Sequence, residues 1–363
     1  MPDASPFQEP QPDLPAGWSA RIPGERDLPA LVRLRVADQA PFTGARTVDV
    51  AAVRSEVVGQ ASWTRRQLVV TLGGELRGWV SVQDRAAGRT TVSLYLERDG
   101  DAAETAQVAA ALYEWAHRQG EAIARLRGLS RTRMDASPYA EDVVQRGWLE
   151  RAGYDCRRRW LHMTRPVDPD ETLPPLREGV TVRRVARHDD GVPVAQDLQV
   201  VHRMLEESFQ DHFNSYRESF PEFVQRLRED PGHRWDHWWL AFVSTGGGPG
   251  RPEQVVPAGA IVCSVLAPDS AGVAGSYVDY IGVNRMARGR GVAKGLLHTV
   301  LADAAERGRN RVGLEVDADS PTRAHELYRS MGWATDYATE SWFEDVDVAD
   351  LPGSPGTAWP VEG

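Results

Sequence analysis

The stretch that decides the fold is SYVDYIGVNRMARGRGVAK, residues 276–294. It begins with the aromatic and β-branched residues typical of a strand and ends in an apolar pattern of helical spacing. Gly289 and Gly291 stand where the polar turn between them becomes a helix, so the backbone there can curve tightly and approach a ligand. The first amides of a helix are unpaired and lie at the positive end of its dipole, and Arg288 and Arg290 add positive charge. The pattern predicts a phosphate-binding turn, although a basic turn that only caps the helix would look the same.

A second informative stretch, VGLEVDADSPTRAHELYRSMGW, covers residues 312–333. Its spacing predicts a strand followed by a helix over Pro321–Met331. Ser320 is a favourable N-cap, proline suits the first helical position, and Gly332 ends the helix. Tyr328 lies two turns into this helix. Taken alone, it is a core aromatic residue whose hydroxyl finds a partner nearby.

The first stretch contains neither a Gly-Lys-Ser/Thr loop nor a Gly-x-Gly-x-x-Gly loop. Together the two stretches resemble the GNAT N-acetyltransferase superfamily. The shared pattern is Arg-x-x-Gly-x-Ala at residues 288–293, followed at the right distance by Ala-x-x-Leu-Tyr-x-x-x-Gly at residues 324–332. The match is strong over residues 255–335 and weak over the rest of the second half. The tandem layout is similar to that of mycothiol synthase and related actinobacterial proteins with two such domains.

The resemblance implies that the second half of the chain binds acetyl-CoA as the acyl donor. Backbone amides of the glycine-rich turn would hold the pyrophosphate, and the strand before it would pair with the pantetheine arm. The helix that begins at Ser320 would border the CoA. The residues implied in CoA binding are Ile281, Gly282, Val283, Arg288, Gly289, Arg290, Gly291, Val292, Ala293, Lys294 and Ser320.

The resemblance also implies two catalytic roles. Tyr328 falls on the tyrosine that protonates the departing CoA thiolate in this family. An amine with a pKa near 10 must lose a proton before it attacks, so a base is needed. Many relatives place a glutamate 11 residues before the glycine-rich motif, where this chain has Tyr277. Asp279 faces the same side of the strand and is the expected base, although a structural carboxylate paired with an arginine fits equally well. The other candidate bases are Glu315, Glu206, Glu207 and Asp211.

The acceptor site is expected where this superfamily recognises its acceptors, in the first two helices and the last hairpin of the domain. These parts correspond to residues 206–216, 234–239 and 340–345, which mix aromatic and acidic side chains. They suit a cationic or sugar-bearing small-molecule amine, or else form core and solvated rim. Four histidines lie in the same region without the spacing of metal ligands, so we expect no metal site. They are His202, His212, His233 and His237.

Two similar successions of strands and helices predict an α/β (α+β) fold with two tandem GNAT-like domains. Each domain would be a mixed, mainly antiparallel sheet flanked by helices. The first lacks the glycine-rich motif and carries one arginine, Arg98, beside two acids at the corresponding turn, so we expect it to be degenerate and catalytically inert. The predicted boundaries are a disordered tail at 1–15, the degenerate domain at 16–165, a linker at 166–179, the CoA-binding domain at 180–348 and a tail at 349–363.

Composition and charge exclude several classes of protein. The 363 residues are 41% hydrophobic and 26% charged, as in globular proteins. A net charge of −10 lacks the basic surplus of a nucleic-acid binder. The sequence shows neither an apolar run of the roughly 18–20 residues that span a bilayer nor a secretory signal. Cys156 and Cys263 are too few for a disulfide scaffold or a cysteine zinc site. We expect a cytoplasmic monomer or homodimer without nucleic-acid or membrane partners.

The sequence therefore predicts an N-acetyltransferase that moves an acetyl group from acetyl-CoA to a small-molecule primary amine by direct attack in a ternary complex. A mycothiol synthase or an aminoglycoside-type acetyltransferase is the first alternative, and Tyr277 in place of the usual glutamate argues against the mycothiol synthase. An acyl-CoA-binding pseudoenzyme or sensor without turnover is the second alternative. The presence of Tyr328 favours an enzyme over such a sensor, whereas the loss of the usual glutamate at Tyr277 favours the sensor.

Overall fold

The strands of both halves of the chain join one continuous sheet. The predicted tail at 349–363 and residues 1–10 lie outside the described part of the chain. Within the described part, none of the helices combines the length and the apolar character that crossing a bilayer requires. The computed structural model describes residues 11–85, 88–209, 218–246 and 253–348.

The first half follows its sequence pattern closely. A turn at Gly73 and Gly74 joins β2 Arg65–Leu72 to β3 Glu75–Arg85, and both glycines have positive φ angles, 59° and 87°, as a two-residue hairpin turn requires. Asp101 caps the third helix by accepting a hydrogen bond from the Glu104 amide at 2.8 Å. The elements are β1 Trp18–Arg21, α1 Leu28–Thr43, α2 Val50–Val57, β2 Arg65–Leu72, β3 Glu75–Arg85, β4 Arg89–Leu96, α3 Ala102–Leu126, β5 Arg131–Ala136, α4 Val143–Arg151 and β6 Asp155–Pro166.

The second half repeats this order of elements. Its longest helices bury the apolar stripes that predict them; in α7, for example, Leu296 and Leu297 are fully buried. The elements are β7 Val180–Arg184, α5 Ala195–Phe209, α6 Phe220–Arg228, β8 His233–Thr245, β9 Gln254–Leu266, β10 Gly275–Val283, α7 Val292–Glu306, β11 Arg311–Asp317, α8 Ala324–Ser330 and β12 Ala334–Asp347.

Within the described residues the sheet has twelve strands in the order β1-β2-β3-β4-β5-β12-β6-β11-β10-β9-β8-β7. Neighbouring strands are antiparallel except for two parallel pairs, β4 with β5 and β10 with β11. Helices pack on both faces and bury separate hydrophobic clusters in each half. The predicted fold class, tandem mixed sheets flanked by helices, is confirmed.

The last strands of the two halves have exchanged places. β6 ends the first half but pairs with β11 of the second half, where Glu315 lies opposite His162. β12 ends the second half but pairs with β5 of the first half, where Phe343 lies opposite Asp135. The two exchanged strands also pair with each other. The stretch predicted as a linker therefore joins two halves that are interlocked through their sheet.

The end of α6 is fixed to the first half by a buried carboxylate. Glu229 follows α6 and accepts hydrogen bonds from Thr64 at 3.0 Å and Gln83 at 2.9 Å, and Arg65 lies 3.3 Å away. Buried polar groups stabilise a fold when they are paired in this way. The contact therefore sets the position of α6, which forms one wall of the cleft described next.

Candidate active site

The central feature of the second half is a fork between β10 and β11. The two strands pair in parallel only from Ser276 to Val278 and then separate. The ring of Tyr277 lies against Gly313, which has no side chain to block it. A β-bulge at Asp279 bends β10 at the point of separation. Beyond this point the edge of β10 that faces β11 is left without a strand partner among the described residues.

The fork opens into a cleft of about 1370 Å³. This volume exceeds the roughly 300–1,000 Å³ of most small-molecule pockets, so the cleft has room for a donor and an acceptor together. The predicted site residues that line it are Asp279, Ile281, Gly282, Val283, Arg288, Gly289, Gly291, Val292, Ala293, Lys294, Ser320 and Tyr328.

The glycine-rich turn has the predicted conformation. Gly289 and Gly291 have φ angles of 76° and 85°, which side-chain-bearing residues rarely adopt. α7 begins at Val292, and its first backbone bond runs from the Gly295 amide to the Gly291 carbonyl at 2.9 Å. The amides before Gly295 thus have no acceptor within the helix and lie beside the cleft. Arg288 is exposed on the same side.

Arg290 departs from its predicted role. Its guanidinium donates a hydrogen bond to the Ser244 carbonyl at 2.8 Å, and its side chain is outside the cleft lining. Arg177, from the stretch between the two halves, lies at the turn instead and donates to the Gly289 carbonyl at 3.1 Å. No periodic pattern pointed to Arg177, because it lies in an irregular proline-rich segment.

The helix that carries Tyr328 starts later than predicted. Ser320 is buried, but its hydroxyl bonds to that of Thr322 at 2.9 Å and does not cap a helix. Arg323 then takes a left-handed conformation with φ 51°, and α8 begins at Ala324. Ser320 therefore lines the cleft from a turn, and the predicted helix start at this residue is wrong. Its side chain is still placed beside the fork.

Tyr328 lies in the wall of the cleft. Tyr328 is 6% exposed, and its ring packs against that of Trp333 with centroids 6.1 Å apart. Burial raises the pKa of Tyr328 to about 12, so the hydroxyl keeps its proton at neutral pH. The group can therefore donate a proton into the cleft.

Asp279 is a half-buried carboxyl group at the fork. The Ser264 hydroxyl donates a hydrogen bond to it at 3.2 Å. Burial, helped by the negative charge of Asp230, raises the pKa of Asp279 to about 7 despite the nearby positive charge of Arg226. Arg226 itself forms a bidentate pair with Glu218, at 2.8 and 2.6 Å. Asp279 can thus accept a proton near neutral pH.

Glu315 is a second carboxyl group in the cleft, on the other arm of the fork. Its side chain is 39% exposed, and desolvation by the surrounding protein raises its pKa to about 7. Its carboxylate lies 3.4 Å from Nε2 of His162, which is also hydrogen-bonded to Thr339 at 2.9 Å. The His162 ring stacks on Tyr337 with centroids 4.3 Å apart, and burial lowers the pKa of His162 to about 4. A neutral imidazole from the exchanged strand β6 therefore stands behind this carboxylate.

The predicted acceptor segments are only partly brought to the cleft. In residues 206–216, Glu206 and Glu207 line it, whereas residues 210–216 lie outside the described part of the chain. In residues 340–345, Ser341 lines it. Residues 234–239 do not line it, because the alternation of β8 buries Trp238 and Trp239 on opposite faces of the sheet. For that segment the acceptor-site reading is wrong, and the alternative, a place in the core, agrees with the structure.

The histidines of this group that the structure describes lie in different surroundings. His202 lines the cleft and bonds to the Glu218 carbonyl at 2.9 Å. His237 is buried elsewhere beside Asp236, and His212 lies outside the described residues. Among the residues that the structure describes, no three His, Cys, Asp or Glu side chains are grouped as metal ligands.

The corresponding fork of the first half is filled. β4 and β5 also pair in parallel over a short stretch and separate. The Gln145 side chain then donates to the Leu94 carbonyl at 3.0 Å, inside the protein. Arg98 forms a bidentate pair with Asp142, at 2.8 and 2.7 Å, and Asp101 occupies the helix N-terminus. Side chains thus take the positions that remain open in the second half.

Comparison with known proteins agrees with this geometry. Residues 203–333 match the model of the acetyltransferase (GNAT) family. A GCN5-related N-acetyltransferase from Sphaerobacter thermophilus is 24% identical, with a TM-score of 0.67 over 93% of this chain and 99% of that chain. A tandem GNAT protein from the clavulanic acid biosynthesis pathway is 12% identical, with a TM-score of 0.58 over 92% and 99%.

A GCN5-related glucosamine N-acetyltransferase region of a fungal β-N-acetylglucosaminidase has a TM-score of 0.59 and 13% identity, over 92% of this chain and 38% of that chain. No curated protein sequence gave a match. Residues 203–333 therefore match the acetyltransferase (GNAT) family, and the chain as a whole shares the fold of a tandem GNAT protein.

Proposed function

We propose that the protein transfers an acetyl group from acetyl-CoA to a primary amine of a small molecule by direct attack in a ternary complex. The observation that carries the proposal is that one cleft joins three features. They are the fork edge at Ile281–Val283, the glycine-rich turn at 288–294 and the buried hydroxyl of Tyr328. A long thioester with a charged end and a reactive end fits this arrangement.

The donor would lie with its pyrophosphate on the amides of the glycine-rich turn. A helix N-terminus favours negative charge at this place. The pantetheine arm would take the place of a strand on the open edge of β10. Gly282 supports this placement, because a β-carbon there would meet the Ser208 hydroxyl at 2.7 Å, so α5 packs directly on the strand that holds the donor.

The acceptor nitrogen would attack the thioester carbonyl carbon once its extra proton has been removed. Asp279, with a pKa of about 7, would take that proton directly or through a water molecule. The new C–N bond forms as the C–S bond breaks. Tyr328 would give its proton to the departing thiolate, which makes the sulfur a better leaving group. The attacking nitrogen loses its second extra proton as the neutral amide forms, and this proton restores the Tyr328 hydroxyl. The products are then the amide, CoA with a free thiol and one proton held by Asp279.

The acceptor would be cationic or sugar-bearing. Its end of the cleft carries several carboxyl groups, namely Asp279, Glu315, Glu206 and Glu207. Carboxylates in a half-buried site attract an ammonium group and orient it by hydrogen bonds. Phe223 and Trp160 add apolar surface for the rest of the molecule. The narrower resemblance to mycothiol synthase stays a prediction.

The first half would serve as a wall of the cleft and not as a second catalytic centre. Its fork is filled by Gln145 and by the Arg98–Asp142 pair, which supports the predicted loss of donor binding. It contributes Arg89 and Asp135 to the lining of the cleft. The predicted cytoplasmic location and the monomeric or homodimeric state complete the proposal.

The proposal is tested by measuring thiol release from acetyl-CoA against a panel of diamines, amino sugars and amino acids, together with thermal shifts caused by CoA. An enzyme releases thiol with at least one class of amine and is stabilised by CoA. A CoA-induced shift without thiol release across the panel supports the pseudoenzyme instead. No shift and no release would refute donor binding altogether.

A further inference from the structure

Arg177 reaches the glycine-rich turn from outside the repeated fold. It belongs to the segment between the two halves, which packs on the second half through Leu173 and Leu176. Its Nη1 donates a hydrogen bond to the Gly289 carbonyl at 3.1 Å. The side chain lines the same cleft as the open fork. The segment thus presents a cation at one end of the proposed donor site.

The space for this side chain depends on a missing β-carbon. A β-carbon at Gly291 would lie 2.6 Å from Cδ of Arg177 and 3.1 Å from its Cγ and Nε. Gly291 also has a φ angle of 85°, which disfavours other residues. The sequence pattern of this turn therefore accommodates the stem of Arg177 as well as a ligand.

Three cations share this end of the cleft. Arg177, Arg288 and Lys294 are all exposed, and among the described residues none of them forms a salt bridge. Most half-buried arginines of this acidic protein do pair with acids, as Arg226 does with Glu218. A group of unpaired cations in a chain with a net charge of −10 leaves a local positive potential that an anionic ligand can neutralise.

The guanidinium of Arg177 can donate further hydrogen bonds to a ligand. An arginine offers five N–H donors in a fixed fork, and the Gly289 carbonyl occupies one of them. Phosphate oxygens accept paired hydrogen bonds from such a fork, which are stronger than bonds between neutral groups. A ligand phosphate beside the turn could therefore engage the backbone amides and Arg177 together.

We propose that Arg177 binds the diphosphate of the acyl-CoA donor and so makes the segment between the halves part of the donor site. The proposal rests on the proposed function, because it requires CoA in this cleft. It assigns to the segment a binding role that the repeated fold does not supply. The chemical class that Arg177 selects is a thioester with a nucleotide diphosphate, in preference to a pantetheine thioester without phosphate.

The experiment compares the full-length chain with Arg177→Gln by calorimetric titration of CoA, 3′-dephospho-CoA and pantetheine. We expect the variant to bind CoA and 3′-dephospho-CoA about tenfold more weakly, in line with the loss of a charge-assisted pair, and pantetheine as well as the unchanged chain does. Arg46→Gln, which removes the same charge at an exposed position outside the cleft, serves as the control and should bind all three ligands normally.

Each outcome decides the question. Equal CoA affinity in Arg177→Gln and the unchanged chain overturns the role of Arg177 while the proposed function stands. An equal loss of CoA and pantetheine affinity, or a loss confined to CoA that spares 3′-dephospho-CoA, also overturns it, since the first marks a damaged fold and the second marks the 3′-phosphate. Failure of the unchanged chain to bind CoA overturns both the proposed function and this inference.

Discussion

Asp279 and Glu315 stand on the two arms of the fork, each two residues beyond the paired residues Tyr277 and Gly313. They line one cleft, and burial raises the pKa of each to about 7. Two carboxyl groups thus flank the place where the strands part, and both can exchange protons near neutral pH. Either carboxyl group is therefore able to take a proton from the acceptor amine. Substituting the two groups one at a time distinguishes their roles.

Replacing Asp279 by asparagine should flatten the acid limb of the rate profile. The base must be ionised, so the rate of the unchanged enzyme should fall as the pH drops through about 7. Asp279→Asn should lower the rate at pH 8 by about a hundredfold and remove that limb. Steady-state rates of thiol release between pH 5.5 and 9 provide the measurement. Glu315→Gln is the matched control, and if it alone removes the limb, Glu315 is the base.

The same substitution should stabilise the fold above neutral pH. Burial raises the pKa of Asp279 to about 7, well above the roughly 3.9 of an unfolded aspartate. The folded chain therefore keeps a proton that the unfolded chain releases, and stability falls as the pH rises through this interval. Asp279→Asn should melt at a higher temperature than the unchanged chain at pH 8 and at a similar temperature at pH 4. An equal difference at both pH values would contradict this assignment.

Replacing Tyr328 by phenylalanine should separate catalysis from binding. The ring packing against Trp333 is kept, while the hydroxyl that would protonate the thiolate is lost. We expect kcat to fall by about a hundredfold with little change in the affinity for CoA. A thioester with a more acidic thiol should lose less rate, because its leaving group needs less protonation. If the substitution lowered kcat equally for acetyl-CoA and for the thioester of the more acidic thiol, Tyr328 would not be the general acid.

Breaking the filled fork of the first half should affect stability and not donor binding. Asp142 is almost fully buried and pairs with Arg98 at 2.7 Å. Arg98→Ala would leave this carboxylate without its ion-pair partner, with the Gln145 backbone amide still donating to it, at a cost of about 3 kcal/mol. Urea unfolding provides the measurement, and CoA titration below the transition provides the comparison. Weaker CoA binding in a folded Arg98→Ala variant would show that the first half does hold part of the donor.

The exchange of strands should keep a cut chain together. A protease site inserted after Asp170 would cleave the exposed segment between the halves. Because β6 lies between β11 and β12, the fragments should elute as one particle in gel filtration and separate only in denaturant. Elution of two separate fragments in native buffer would contradict the interlocked arrangement.

Much of the fold and the core of the site followed from sequence because the signals were local. The Gly73-Gly74 hairpin and the turn at Gly289 and Gly291 depend on backbone conformations that glycine alone adopts freely. The start of α8 was misplaced, because Ser320 bonds to Thr322 and a left-handed residue follows. The local sequence favours Ser320 as an N-cap, but the Thr322 hydroxyl competes with the helix amides for the Ser320 side chain.

Features set by distant parts of the chain could not be predicted. The Ser244 carbonyl holds the Arg290 guanidinium outside the cleft, and Arg177 from a distant segment lies at the glycine-rich turn instead. The pairing of β6 with β11 could not be predicted from the sequence either. A strand forms the same hydrogen bonds and shows the same alternation of residues whichever half it joins. Its sequence pattern therefore does not predict which strand it pairs with. The His162–Glu315 contact depends on that choice of neighbour.

The interlocked ends bear on how such a chain can change over evolutionary time. A half whose own fork is closed would ordinarily be free to shrink or disappear after duplication. Here its final strand, β6, pairs with β11 of the half that has the open cleft. This pairing brings Trp160 and His162 towards the cleft. Deleting the half with the filled fork would expose one edge of β11 and leave both edges of β12 without a strand partner. Such edges are prone to pairing with other chains. The half with the open cleft and the half with the filled fork must therefore be inherited together.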